Sequence, residues 1–270
     1  MNYHHKKTKY YYAQTLLGCV AFVLLNFQFD YTESSAVTIQ GFTTMQSMMM
    51  DTPLTITSLM QFAEKAHPKT EIVSVTHDQP RHRYSFADAF GRIRQLANAM
   101  QTLGIKPGDR VATLAWNDYR HFELYYAISC SGMVCHTINP RLFPEQLVYI
   151  LNHAEDKVLM VDFDLAPLVA LVADKLTTVK TFVIMTDRAH MPDCLPGALC
   201  YEEWIAEQTG DFEWVDGDER DACGICYTSG TTGNPKGVVY THRSNMLHAL
   251  AASSPDCLNL TSRDTIMPVV

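Results

Sequence analysis

Positive charge is scarce in this chain. Its 270 residues carry 21 Lys and Arg against 29 Asp and Glu, a formal net charge of −8. No basic run occurs beyond the first ten residues, which argues against a nucleic-acid partner, since such proteins display a basic patch or stripe. Cysteine pairs are equally sparse: eight cysteines yield a single C-x-x-C, Cys223 and Cys226. A zinc site needs a second pair at matching spacing, and a redox pair opens a helix rather than sitting inside an apolar strand. No metal ligand is therefore assigned, and the thiols read as small buried groups of a cytoplasmic, reducing environment. The apolar run Leu16–Leu25 falls short of the roughly 20 residues that span a bilayer. Internal repeats and low-complexity segments are also missing.

Nearly half of the residues, 47%, are hydrophobic, enough to form a substantial core. From Thr55 onward they fall into short units. A helix is expected over Ile56 to Ala66, then a strand from Glu71 to Thr76, with Arg83 and Tyr84 as its returning arm. Ser85 caps the next helix with Asp88 in the capping-box position, and Gly104 ends it. Strands are expected at Arg110–Ala115, Met133–Ile138, Lys157–Asp162 and Lys180–Thr186. The helices between them run over Tyr119–Ser131, capped by Asp118, over Pro144–His153, and over Ala166–Lys175. Such alternation predicts an α/β fold, helices packed on mostly parallel sheets. Residues 187–220 read as a surface crossover with a short helix near Tyr201–Gln208, Ser244–Ala252 as a helix, and Asp264–Val270 as a further strand.

One stretch carries chemistry. Tyr227-Thr-Ser-Gly-Thr-Thr-Gly-Asn-Pro-Lys-Gly237 joins two apolar strands, Ala222–Tyr227 and Val238–His242. Its glycines let backbone N–H groups approach an anion. Thr228, Ser229, Thr231 and Thr232 add hydroxyl donors, and Lys236 adds a charge. It is not a Walker A loop, because Lys236 lies between Pro235 and Gly237 rather than before a Ser or Thr. A turn-rich linker is the blander reading, yet linkers rarely separate two strongly apolar strands. Other residues receive structural readings: Trp116, Trp204 and Trp214 as packing or rim aromatics, His242 as a structural histidine, and Asp118 as a helix cap rather than a base.

The stretch 227–237, followed by Thr241-His-Arg243, resembles the AMP-binding signature of the adenylate-forming superfamily. Leu114–Asp118, Tyr125–Gly132, Thr137–Leu142 and Val148–His153 resemble its early core motifs, so that residues 45–270 look like part of the family's N-terminal domain. Ile138–Gln146 and Met48–Leu59 look most like medium-chain acyl-CoA ligases and methylthiopropionate-CoA ligases. The resemblance implies an AMP-forming acid–thiol ligase using a carboxylic acid, ATP, Mg²⁺ and coenzyme A. By the same resemblance, Thr228, Ser229, Gly230, Thr231, Thr232, Gly233 and Lys236 hold the β- and γ-phosphates. No catalytic residue is assigned. The family's later motifs and its C-terminal catalytic-lysine domain are not found in these residues. The expectation is therefore a truncated portion, inactive alone, with a non-catalytic nucleotide-binding remnant as the alternative.

Residues 1–44 stand apart, with a basic start at His4–Lys9 and the apolar run after it. Three readings remain open for them: a start assigned too far upstream, a membrane anchor, or a cleaved signal. Membrane contact is expected only through residues 15–29.

Overall fold

The computed structural model describes residues 49, 51–228 and 234–268. Its backbone divides into two compact units, one running Leu54–Ala251 and the other combining Met1–Pro53 with Ala252–Val270.

Within the first unit, Thr55 caps helix α1 (Ile56–Ala66), its hydroxyl accepting from the Ser58 N–H. Strands β1 (Glu71–Ser74) and β2 (His82–Ser85) pair antiparallel, the short hairpin expected from Arg83 and Tyr84. Ser85 and Asp88 form the reciprocal capping box that opens α2 (Phe86–Thr102). Gly104, at φ +71°, follows it and supplies the left-handed turn that glycine adopts without strain. Then come β3 (Arg110–Leu114), α3 (Tyr119–Cys130) with Asp118 as its cap, β4 (Val134–Ile138), and α4 (Pro144–Ala154) with proline in its first turn. Next are β5 (Val158–Asp162), α5 (Ala166–Ala170), β6 (Thr181–Met185), β7 (Leu199–Cys200) and α6 (Tyr201–Ala206). Strands β8 (Ala222–Thr228) and β9 (Lys236–Thr241) precede α7 (His242–Ser253), whose last two residues belong to the second unit.

Seven strands make one sheet in the order β7-β6-β5-β3-β4-β8-β9, parallel throughout except for β9, which pairs antiparallel with β8. Side chains alternate across it as a pleated strand requires. Val111, Cys135, Val158, Met160, Val183 and Met185 face a core shared with α2, α3 and α6. Ala112, Leu114, Ile138, Leu159, Val161 and Ile184 face the opposite core, built with α4 and α5. Full burial of both faces explains why these strands read as continuous apolar runs.

Three expectations need correction. The helix expected over 166–175 stops at Ala170 and resumes as a 3₁₀ turn at Ala173–Lys175. Val172 and Leu176, on either side of that turn, still reach the same core as Val169. The last helix starts at His242 rather than Ser244. Finally, no strand forms at Asp264–Pro268, the described part of the stretch expected to be one; among the described residues its backbone meets no partner strand. In that second unit the end of α7 is closed by the Leu258 and Leu260 N–H groups, which donate to the Ala252 and Ser253 carbonyls. Among the described residues no helix is long and apolar enough to cross a membrane. The apolar run at 16–25 and residues 15–29 lie outside the described residues.

Candidate functional site

Parallel strands put their carboxyl ends on one edge of a sheet, and open α/β sheets bind ligands outside that edge. Here the edge carries Trp116–Asp118 after β3, Asp162 at the end of β5, Thr186 after β6 and Thr228 at the end of β8. Because β9 runs antiparallel, its first residue, Lys236, lies on the same edge, directly opposite Thr228. Thr228 and Lys236, the two described residues of the seven assigned to the phosphates, therefore stand side by side where the chain leaves and rejoins the sheet. Both are exposed, and among the described residues Lys236 has no carboxylate within ion-pair distance. Ser229, Gly230, Thr231, Thr232 and Gly233 lie outside the described residues.

The root of this loop is anchored by groups the sequence reading did not single out. The Tyr227 hydroxyl lies 2.6 Å from His153 Nδ1 at the end of α4. Its ring sits 5.1 Å from that of His136. His136 Nδ1 is 2.7 Å from Asp156 Oδ2, and both side chains are fully buried. Among the described residues, His136 Nε2 and Asp156 Oδ1 have no hydrogen-bond partner. Burial pushes the Asp156 carboxyl up, against the opposing pull of His136. The signal was available in the sequence: a histidine in the middle of a fully buried strand needs a polar partner.

A second cluster occupies the same edge between β3 and β5. These neighbours are reached by crossovers in opposite directions, because α3 leads from β3 to β4 and α4 leads back to β5 beyond β3. A small cavity there, about 50 Å³, is lined by Asp78, Trp116, Asp118, Arg120, Asp162 and Asp164 among others. Burial, with Asp118 alongside, pushes the Asp162 carboxyl up to about 8. The Trp116 N–H donates to Asp162 Oδ2 at 2.5 Å, and the Trp116 indole donates to Asp164, which makes it the rim aromatic expected. Behind the cavity, Glu123, Arg92, Glu202, Arg120 and Asp78 form a continuous ladder of ion pairs at 2.7–3.0 Å. Although burial opposes it, the Arg120 and Thr76 hydrogen bonds hold Asp78 below the usual carboxylate range. Asp78, Asp187 and His190 also come within 4.8 Å of one another, but Arg120, Thr76 and Thr186 already engage the Asp78 carboxylate.

The remaining structural readings hold. Asp118 accepts from the His121 N–H as a helix cap. His242 is buried, and its Nδ1 accepts from the Ile56 N–H. Trp204 is buried and Trp214 packs against the same core. Cys223 and Cys226 are free thiols in β8.

A mostly parallel seven-stranded sheet with helices on both faces is the architecture of the N-terminal domain of adenylate-forming enzymes. Residues 60–270 match the AMP-binding enzyme family, and the chain belongs to it. Over 229 residues it is 50% identical to 3-methylmercaptopropionyl-CoA ligase of Ruegeria lacuscaerulensis, covering 84% of this chain and 42% of that protein. It is 47% identical over 227 residues to medium-chain-fatty-acid–CoA ligase of Ectopseudomonas oleovorans, with the same coverage of 84% and 42%. A crystal structure of an anthranilate CoA ligase in complex with anthranoyl-AMP aligns with a TM-score of 0.64 at 25% identity, over 72% of this chain and 36% of that one. The chain thus spans about two fifths of the length of the curated relatives it matches.

Proposed function

We propose that this chain is the ATP-phosphate-binding portion of an AMP-forming acyl-CoA ligase, with residues 45–270 forming the AMP-binding part. In the reaction, a carboxylate oxygen attacks the α-phosphorus of ATP, the bond to the bridging oxygen breaks, and pyrophosphate leaves. The thiol of coenzyme A then attacks the acyl carbon and expels AMP, giving the thioester. Thr228, Ser229, Gly230, Thr231, Thr232, Gly233 and Lys236 hold the β- and γ-phosphates. Negative charge grows on the departing pyrophosphate, so donors fixed there stabilise the transition state more than bound ATP. The donor set suits a triphosphate: hydroxyls, glycine N–H groups and one ammonium, with no carboxylate between Thr228 and Lys236. Mg²⁺, which favours phosphate oxygens and one or two carboxylates, would take its ligands here from the phosphates and the threonine hydroxyls. The acyl group is a medium-chain or methylthio-substituted alkanoate, by analogy with the named relatives, and the protein acts in the cytoplasm.

The observation that carries this reading is Lys236 beside Thr228, both exposed and, among the described residues, with no carboxylate within ion-pair distance of Lys236, at the edge of a sheet belonging to this family. Calorimetric titration of the chain with MgATP and with inorganic tripolyphosphate tests it. Lys236→Ala is expected to weaken both at least about tenfold, the range of one charge-assisted hydrogen bond, with the melting temperature unchanged. Acid-dependent exchange of pyrophosphate into ATP is then assayed with octanoate and 3-methylthiopropionate. Binding without exchange favours the non-catalytic remnant. Release of ADP, or affinity indifferent to Lys236, sinks the proposal.

A further inference from the structure

Tyr227 sits where three pieces of the loop's foundation meet. It is the penultimate residue of β8, one position before Thr228, and its register partner on β9 is Gly237, one position after Lys236. Its ring covers that glycine. A Cβ added to Gly237 would lie 3.1 Å from Tyr227 Cζ and 3.0 Å from Ile225 Cδ1, tight enough that one of these side chains would have to shift by a few tenths of an ångström. An aromatic laid over a glycine on an edge strand is a known means of pinning register. The ring's outer end reaches α4, where the hydroxyl meets His153 Nδ1 at 2.6 Å and the two rings cross edge to face at 5.8 Å. His153 is held in turn by Tyr149, stacked at 5.3 Å. Behind the ring stand the buried His136 and Asp156. Burial, and then the Asp156 carboxylate, raise the Tyr227 phenol, so it keeps its proton and has one to share with His153 Nδ1.

We infer that Tyr227 is a positioning residue for the phosphate loop: its ring clamps the two strand ends together, and its hydrogen bond to His153 ties them to α4. This inference rests on the reading of the loop as a phosphate holder. Its physical basis is that Thr228 and Lys236 belong to a two-stranded rim of the sheet, with only β8 joining them to β4. A rim strand free to twist would move the Lys236 ammonium relative to the donors it works with. A link to α4 fixes that angle, because α4 packs Leu147, Ile150 and Leu151 into the core.

The test uses the 270-residue chain and inorganic tripolyphosphate as probe, with melting temperature measured alongside. Tyr227→Phe keeps the ring over Gly237 and removes only the hydroxyl. It is expected to weaken tripolyphosphate about three- to tenfold, the worth of one hydrogen bond. His153→Ala, at an exposed helix position, should do the same, and the double variant should lose no more than either alone, because both break one link. His153→Gln, which restores an acceptor, should recover most of the affinity. Gly237→Ala should weaken binding with Tyr227 and His153 intact, because its methyl displaces the ring. A purely structural contact predicts instead a lower melting temperature at unchanged affinity, and that result overturns the inference. So do additive losses in the double variant. If Lys236→Ala itself leaves affinity unchanged, the loop reading fails and takes this one with it. If Lys236→Ala weakens binding and Tyr227→Phe does not, the tether alone fails.

Discussion

The carboxyl edge of the sheet carries two polar clusters of opposite character. At the β8–β9 rim, Lys236 and Thr228 are exposed, and among the described residues Lys236 has no carboxylate within ion-pair distance. At the β3–β5 crevice, Arg120 is 1% exposed and meets Asp78, Glu202 and the Met185 carbonyl, with its guanidinium over the Tyr119 ring at 4.8 Å. Among the described residues, the rim lysine has no carboxylate beside it, whereas the crevice arginine is ion-paired to two. The crevice stands where open α/β sheets commonly bind ligands, yet aspartates dominate its lining and the Arg120 guanidinium there is already paired. Position in the fold nominates both places; only the balance of unsatisfied donors and acceptors separates a site that awaits a ligand from one that holds the protein together.

The largest effect should come from breaking the self-satisfied cluster. Arg120→Met leaves the Asp78 side chain, which is shielded from solvent, without its cation, while Glu202 keeps Arg92. Removing one member of a buried ion pair costs about 3–5 kcal/mol. Urea denaturation should show that loss, while tripolyphosphate affinity of the folded fraction stays at the wild-type level. A loss below about 1 kcal/mol, in the range of exposed pairs, would mean that the ladder is ornamental and the contrast false.

A smaller effect should separate the crevice by pH. In the folded chain Asp162 titrates at about 8, above its usual 3.8, because burial and then Asp118 disfavour its charge. Between those values the folded state binds more protons than the unfolded one, so stability falls as pH rises from about 4 to about 8 and is level above. Asp118 is raised as well, so the change belongs to the pair rather than to either carboxyl. His121 works in the opposite sense: burial lowers it to about 4, and it costs stability as pH falls from about 6.5 to 4. Asp162→Asn should flatten the alkaline limb and stabilise the chain at pH 8 by about 1–3 kcal/mol, leaving the acid limb of His121 in place. A stability–pH curve unchanged by the substitution would show that the two carboxyls are solvated rather than buried together.

Much of this was readable in the residues because each feature has a local cause. Ser85 with Asp88, Asp118 before Tyr119, and Pro144 at a helix start obey rules confined to one turn of chain. The parallel sheet followed from buried apolar runs separated by helical spacing. The loop residues stood out because few other contexts place so many hydroxyls and glycines before a lysine. What stayed hidden depends on contacts distant in sequence: Arg92 meets Glu202 across 110 positions, and Tyr227 meets His153 across 74. Glu123 looks like one more charge on an amphipathic helix until α2 and α6 close over it. The short break after Ala170 has no glycine or proline at it to announce it.

The smallest effect expected is at Cys223 and Cys226, which lie on β8 leading from the amino edge up to the loop. Three positions along an extended strand separate their Cα atoms by roughly 10 Å, beyond the reach of a disulfide. Cys223 Sγ takes a hydrogen bond from Asn245 at 3.0 Å, and Cys226 Sγ lies 2.9 Å from Thr137 Oγ1. Burial pushes the Cys223 thiol up to about 11 and raises that of Cys226, so both stay protonated and unreactive near neutral pH. Cys226→Ala should cost about 1 kcal/mol for its lost packing and hydrogen bond and change tripolyphosphate affinity less than about twofold. Labelling of the native chain by a thiol reagent should reach the exposed Cys194 and Cys257 first, with Cys223 and Cys226 reacting only on unfolding. Fast labelling of Cys226 that stops when tripolyphosphate is added would instead place this thiol within the loop's own site, and the boundary between the self-satisfied interior and the open rim would have to be drawn one strand position deeper.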